Sequence, residues 1–273
     1  MAKVFPSFDT IMKSRQKPTV GELFLLHYLE KNFDGEAEVY FQPYLNGDRP
    51  DIVIVSKKQG VIIIEVKDWD LKHYYVDAKD HWHLRKNDVE LKSPFAQAFG
   101  YKTNMFNLHI NGLLEKKLEN EHFYKAISIF VYFHNESKES IKLFYDKSID
   151  YCRDEIRKND ESVRRNNISP VDHDKRAEFL IRQQRKLERD KNTHTLTNGQ
   201  FTKLKFPFEK GNEVYPESVH KEFLRYLSPP FHALNDGKII TYSKLQSRLV
   251  MSEANARKKI RGVAGSGKTT ILA

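Results

Sequence analysis

The apolar pattern is sharpest between residues 51 and 67. Residues 52–55 read Ile-Val-Ile-Val and residues 61–64 read Val-Ile-Ile-Ile, runs too short and too β-branched for helices. Ser56-Lys57-Lys58-Gln59-Gly60 separates them, with Gly60 able to take positive φ, so the segment predicts a β-hairpin. Upstream, Leu23-Phe24-Leu25-Leu26-His27-Tyr28-Leu29 predicts a helix, with Thr19 as N-cap and Glu22 as its partner three residues on. Residues 39–44 predict a strand. Val76 and residues 82–84 predict further short strands, with Asn87-Asp88 as a turn. Ser93-Pro94 opens a helix expected to run toward Leu118. Residues 127–133 (Ile-Ser-Ile-Phe-Val-Tyr-Phe) predict a strong strand, and residues 141–145 a weaker one.

From about 148 to 195 the pattern changes. Ile156, Phe179, Leu180 and Leu187 are thinly spaced among Arg, Lys, Asp and Glu. Mostly exposed helices are expected there, broken near Ser169-Pro170. A solvated helical insertion is the favoured reading, and an arm contacting phosphates the competing one. Residues 201–208 read as a strand or extended connector. Pro229-Pro230 and Asp236-Gly237 punctuate a linker, and a last element begins near Ile239.

Composition narrows the class. The chain has 273 residues, 39% of them hydrophobic and 30% charged, with net charge +9. That allows one large domain or two, and the charge favours an anionic partner such as nucleic acid, with solubility as the competing explanation. The lone Cys152 excludes an internal disulfide and a cysteine-based zinc site, and fits a reducing cytoplasm. No signal-peptide core and no bilayer-length apolar run are present in the sequence.

The hairpin also carries chemistry. Asp51 precedes its first run, and Glu65-Val66-Lys67 closes its second. If Ser56 pairs with Gly60, Asp51 lies opposite Glu65; one pair of slippage would put it opposite Lys67. Either register gathers all three side chains on one face at one end. Two carboxylates and an ammonium beside an apolar hairpin are costly to bury without a purpose, and a hard divalent cation supplies one. Lys67 could then orient or polarise an attacking water. His81-x-His83 alternates onto one strand face, but with no third ligand in view it reads as structure or surface.

Gly21-Glu22, Pro50-Asp51 and Glu65-Val66-Lys67-Asp68-Trp69 together resemble the NERD (nuclease-related) domain of the PD-(D/E)xK nuclease superfamily. Ser93-Pro94-x-x-Gln97-x-x-x-Tyr101 adds a match, similar to the Gln-x-x-x-Tyr of RecB-like nucleases. The resemblance covers roughly residues 15 to 135. It implies a restriction-endonuclease-like α/β core with a mixed central sheet flanked by helices. Asp51 and Glu65 would bind Mg²⁺ (Mn²⁺ is an alternative), aided by the Val66 carbonyl, and Glu22 would reach the same site from its helix. Lys67 would position the water or offset charge on the scissile phosphate. Gln97 and Tyr101 would hold the site or the nucleic-acid backbone. The plainer alternatives are a capping box for Glu22, a Lys67–Asp68 surface pair, a turn role for Asp51, a backbone-satisfied Gln97 and a core Tyr101.

A second motif lies at the far end. Residues 262–269 (Gly-Val-Ala-Gly-Ser-Gly-Lys-Thr) satisfy the P-loop pattern. Backbone amides around Gly262, Gly265, Ser266 and Gly267 would cradle phosphates, Lys268 would reach the β- and γ-phosphates, and Thr269 would ligate Mg²⁺. The wording resembles superfamily 1, UvrD-like helicases, and Gln246 resembles their adenine-reading glutamine. Only four residues follow Thr269. The chain thus reads as the N-terminal part of a nuclease–helicase fusion, with ATP binding completed by the rest of the motor.

The expected organisation is a nuclease domain over 1–147, a charged helical insertion over 148–200, a connector over 201–238 and the start of a motor over 239–273. The expected activity is that of a Mg²⁺-dependent deoxyribonuclease in DNA processing or defence against foreign DNA. Residue types leave RNA as an open substrate and oligomeric state undetermined. A non-cleaving nucleic-acid-binding module and a P-loop ATPase or scaffold are the alternatives.

Overall fold

The computed structural model describes residues 1–227 except 15–16, 34, 46, 78–80, 166–168 and 209–214. Gln246 and the P-loop lie outside the described residues, as does the whole 239–273 segment. Among the described residues, the central sheet has six strands, in the order β1-β2-β3-β4-β8-β9. These are β1 (Lys3–Phe5), β2 (Ala37–Phe41), β3 (Ile52–Ser56), β4 (Gly60–Lys67), β8 (Ile127–Phe133) and β9 (Thr195–Leu196). The β2-β3-β4 meander is antiparallel, while β1 on β2, β4 on β8 and β8 on β9 are parallel. The sheet is therefore mixed. A smaller three-stranded antiparallel sheet, β5 (Tyr74–Val76), β6 (Trp82–Leu84) and β7 (Val89–Leu91), forms part of the long connection that a parallel β4–β8 pair requires.

Strands β3 and β4 are buried almost throughout, which explains their unbroken apolar runs. Alternation sends Ile52, Ile54, Ile62, Ile64 and Val66 into one core with Leu25, Leu26 and Leu29 of helix α2 (Val20–Asn32). Short α1 (Phe8–Lys13) adds Ile11 to that core. The opposite face carries Asp51, Val53, Ile63, Glu65 and Lys67, and is covered by α3 (Pro94–Asn104). Beyond it, Phe95, Trp82, Val131 and Phe133 pack with Ile141, Phe144, Tyr145 and Ile149.

That last group corrects the sequence reading. Residues 141–145 form no strand; they lie in α5 (Lys138–Arg164), opened by a Ser137–Ser140 capping box. Ile141, Phe144, Tyr145, Ile149 and Cys152 are all buried on it, a helical spacing that the local β-branched and aromatic content disguised. The expected division at 147/148 falls inside this helix. The charged region is α5 followed by α6 (Pro170–Arg189), an excursion between adjacent parallel strands β8 and β9. Many of its charges pair with one another, as in Arg176–Glu155 at 3.0 Å, Lys158–Glu155 at 2.9 Å and His173–Asp160 at 2.7 Å. A solvated helical pair accounts for them.

Two further differences have local causes. The helix opened by Pro94 does not reach Leu118 unbroken: it widens into a π turn at Met105–His109 and restarts as α4 (Leu113–Glu119) after Gly112, whose φ is +82°. Residues 201–208 form no strand. They begin with a 3₁₀ turn (Phe201–Lys203) and bury Phe201, Leu204 and Phe206 in the α2-side core. The stretch expected to be a connector is thus part of the fold, and α7 (Glu217–Leu227) follows it.

Candidate active site

The hairpin register decides the site. Ser56 pairs with Gly60 and Ile52 with Ile64, so Asp51 falls opposite Glu65, the first of the two registers open in the sequence. Gly60 sits at φ +96°, and a Cβ there would meet the Ala126 carbonyl oxygen at 2.7 Å, so glycine is required at this turn. The Asp51 carboxylate crosses back to accept the Val66 amide at 2.7 Å. Lys67 donates from Nζ to Glu65 Oε1 at 2.5 Å, and not to Asp68. The Lys67 side chain is 17% exposed and that of Glu65 only 2%.

The other Glu65 oxygen, Oε2, is buried and has no hydrogen-bond partner among the described residues. Burial, more than any neighbour, raises the Asp51 carboxyl to about 7, and the nearby Glu65 charge adds to it. Glu65 is also raised by burial, with Lys67 opposing the shift. A buried Glu65 and a half-buried Asp51, both of whose charged forms are disfavoured by desolvation, make a donor set suited to a hard cation.

Glu22 does complete the capping box expected of it: Oε2 accepts the Thr19 amide at 2.6 Å while Thr19 Oγ1 accepts the Glu22 amide. Its remaining oxygen, Oε1, accepts Gln42 Nε2 at 2.8 Å, and the Gln42 amide donates to the Asp51 carbonyl at 2.8 Å. Its charge also acts on both Asp51 and Glu65. Glu22 therefore stands at the rim of the carboxylate pair with its oxygens engaged. Gly21 explains how the helix comes so near. Its amide donates to Asp68 Oδ2 at 3.1 Å, and a Cβ would lie 2.0 Å from Asp68 Oδ1 and 2.8 Å from His134 Cβ. Gly21 lets the first turn of α2 seat against the end of β4.

Gln97 and Tyr101 share one face of α3, as spacing requires. Gln97 Nε2 donates to the Tyr101 hydroxyl at 2.7 Å, and that hydroxyl donates to the Arg49 carbonyl at 3.3 Å. Burial raises the Tyr101 phenol to about 12, so it remains a donor. The pair thus pins the backbone immediately before Pro50-Asp51, and Tyr101 is largely a core residue. Next to it, Asp48 Oδ2 accepts Asn104 Nδ2 at 2.8 Å and lies 3.1 Å from His109 Nε2. Gln42, Asp48 and His109 have no sequence signal that links them to the site, because only the fold brings them there. If Tyr101 acts by fixing Asp51, Tyr101→Phe should lower cleavage about tenfold and raise the metal concentration needed for half-maximal rate. A metal titration of initial rates measures both; an unchanged metal requirement would place Tyr101 in packing alone.

Residues 17–132 match the family of the nuclease-related domain, NERD. The matched stretch runs from before Gly21 to Tyr132 on β8 and contains Asp51, Glu65, Lys67, Gln97 and Tyr101. A nuclease-related domain is therefore found over this part of the chain, and it suggests a nuclease-related function and nucleic-acid binding. No curated protein and no solved structure gives a significant match to the chain. Among the described residues, no helix is long and apolar enough to cross a membrane.

Proposed function

We propose that the chain is a metal-dependent deoxyribonuclease that hydrolyses phosphodiester bonds at the Asp51–Glu65–Lys67 site. The observation that supports this reading is the carboxylate pair of half-buried Asp51 and buried Glu65, with Lys67 on Glu65 Oε1 and no hydrogen bond to Glu65 Oε2 among the described residues. Asp51 and Glu65 would hold a divalent cation, Mg²⁺ or Mn²⁺, with the Val66 carbonyl as a further candidate ligand. Glu22 would contribute charge, or a water contact, from the rim. Bound there, the cation would supply Lewis acidity and a water of lowered pKa. Lys67 would hold the attacking water and offset the charge that grows on the phosphate oxygens. The water gives up a proton to solvent as its oxygen bonds to phosphorus, the P–O bond to the leaving strand breaks, and the leaving oxygen takes up a proton from solvent. Gln97 and Tyr101 would keep the Asp51 turn in place throughout.

DNA is the proposed substrate, consistent with the net charge of +9. The P-loop pattern in the sequence supports a further proposal, that cleavage is coupled to an ATP-driven, helicase-like motor in DNA processing or defence against foreign DNA. The buried thiol of Cys152 is in keeping with a cytoplasmic setting.

The test is supercoiled plasmid incubated with Mg²⁺ or Mn²⁺, with Asp51→Ala and Lys67→Ala as controls. Metal-dependent nicking by the unaltered chain and its loss in both variants is the expected result. Cleavage that survives both substitutions would overturn the site, and tight DNA binding without any cleavage would make the chain a binding module.

A further inference from the structure

We propose a second metal site, distinct from the carboxylate pair, formed by Asp77, His81 and His83 on the outer face of the small sheet and selective for Zn²⁺ or a similar transition ion. His81 and His83 flank Trp82, and alternation along β6 turns Trp82 into the core while both imidazoles face outward. Asp77 directly follows β5, the antiparallel partner of β6. The sequence showed two histidines with no third ligand; strand pairing supplies it. One donor atom from each residue lies within 4.8 Å of the others. Asp77 Oδ2 is 3.5 Å from His83 Nε2 and 3.6 Å from His81 Nδ1. Ligands about 2.0–2.2 Å from a tetrahedral Zn²⁺ are separated by about 3.3–3.6 Å, so both distances suit one ion between them. The His81 ring, 44% exposed, has room to adjust the third edge.

The surroundings fit ligation better than a simple ion pair. His83 Nδ1 is 3.4 Å from both the Asp88 carbonyl and its Oδ1. Those acceptors favour the proton on Nδ1, which leaves the Nε2 lone pair directed at Asp77, the outer support typical of metal-bound histidine. His83 Nε2 is buried and makes no hydrogen bond among the described residues. The His83 ring is held in place by stacking on Tyr75 at 4.9 Å. Asp77 Oδ1 is itself fixed by the His81 amide at 2.8 Å. Glu90 Oε2, 3.8 Å from His81 Nδ1, stands within reach as a fourth donor, with water the alternative. Two imidazoles with one or two carboxylates favour Zn²⁺, Co²⁺ or Ni²⁺ over Mg²⁺. The ion would clip β5 to β6 across the intervening loop. Trp82, on the reverse of this clip, packs at 5.8 Å against Trp69, whose ring lies 5.5 Å from Lys67 Nζ. The role is thus structural support behind the candidate active site.

Co²⁺ titration of the metal-stripped full chain reads both geometry and stoichiometry. The Asp51→Ala background removes the first site as a source of signal. Expected is one equivalent of Co²⁺ with the intense visible absorption of a four- or five-coordinate nitrogen-bearing site, displaced by Zn²⁺. His81→Ala and His83→Ala should each abolish it. Zn²⁺ at about a hundred times Kd should raise Tm by about 5–10 °C, and His81→Ala should lose that rise. His81 is half exposed, so this variant should keep the metal-free Tm and show that the fold is intact. Only weak octahedral absorption, or a signal unaffected by His81→Ala and His83→Ala, would overturn the proposal. Its outcome is independent of whether the chain cuts DNA.

Discussion

Asp51→Asn should abolish cleavage and, at the same time, make the metal-free protein more stable. The carboxylate is held half-buried beside Glu65, and desolvation raises its pKa to about 7. Asn keeps an oxygen for the Val66 amide and removes the charge. Each pH unit between folded and unfolded titration is worth about 1.4 kcal/mol, and part of the penalty is shared with Glu65. A gain on the order of 2 kcal/mol above neutral pH is therefore expected, about 4–8 °C in Tm. The sign follows from linkage. A raised folded pKa means that the native state holds its proton longer than the unfolded chain. The contribution of Asp51 is then fully favourable below the unfolded carboxylate range and is lost as pH rises through about 7. The advantage of Asp51→Asn over the unaltered chain should accordingly be largest above pH 7 and vanish toward acid. Thermal melts with chelator across this range measure it.

Cleavage should fall by about a thousandfold or more, since a hard cation loses one of its charged ligands. Mg²⁺ should raise the Tm of the unaltered chain, by relieving the carboxylate pair, and leave Asp51→Asn unmoved. A destabilised Asp51→Asn would mean that Asp51 serves the turn and not a cation. Opposite signs for activity and stability are what a charge held for function produces.

The hairpin shows why the geometry at the centre of the candidate site is legible in the sequence. Its apolar runs, the Gly60 turn and the two-residue period fix which side chains share a face, and the two registers left open both gathered Asp51, Glu65 and Lys67. The Thr19–Glu22 capping box and the i,i+4 relation of Gln97 and Tyr101 are equally local. What the sequence could not carry was partner choice over distance. Lys67 reaches Glu65, two residues back on the same strand face, and not adjacent Asp68, whose Oδ2 accepts the Gly21 amide. Tyr101 meets Arg49, 52 residues away, and Gln42, just past β2, meets Glu22 only because α2 packs on β2. Asp77 could not be joined to the two histidines until β5 paired with β6. Residues 141–145 misled for the opposite reason: five residues rich in apolar and aromatic side chains fit either period, and the deciding positions, Ile149 and Cys152, lie beyond them.

Lys67→Met should also abolish cleavage, but with the reverse effect on stability. Among the described residues, Lys67 Nζ is the one side-chain donor on Glu65, which is buried. Removing a partner from a buried ion pair leaves an uncompensated charge, a loss of about 3–5 kcal/mol for full burial, and about 2–3 here because Lys67 keeps some solvent contact. Met retains most of the apolar stem, so the loss reports charge more than packing. Without Lys67 the Glu65 carboxyl, already raised by burial, must rise further. By linkage its contribution is then intact in acid and lost as pH rises through the new folded value, so the deficit of Lys67→Met should shrink as pH falls. A double variant, Glu65→Gln with Lys67→Met, should recover most of the stability and none of the activity. The rate loss, about 10²–10⁴-fold, reflects a donor missing from both the attacking water and the phosphate. A pH-independent loss of stability would assign Lys67 to packing on Trp69, and cleavage that persists in Lys67→Met would remove it from the chemistry.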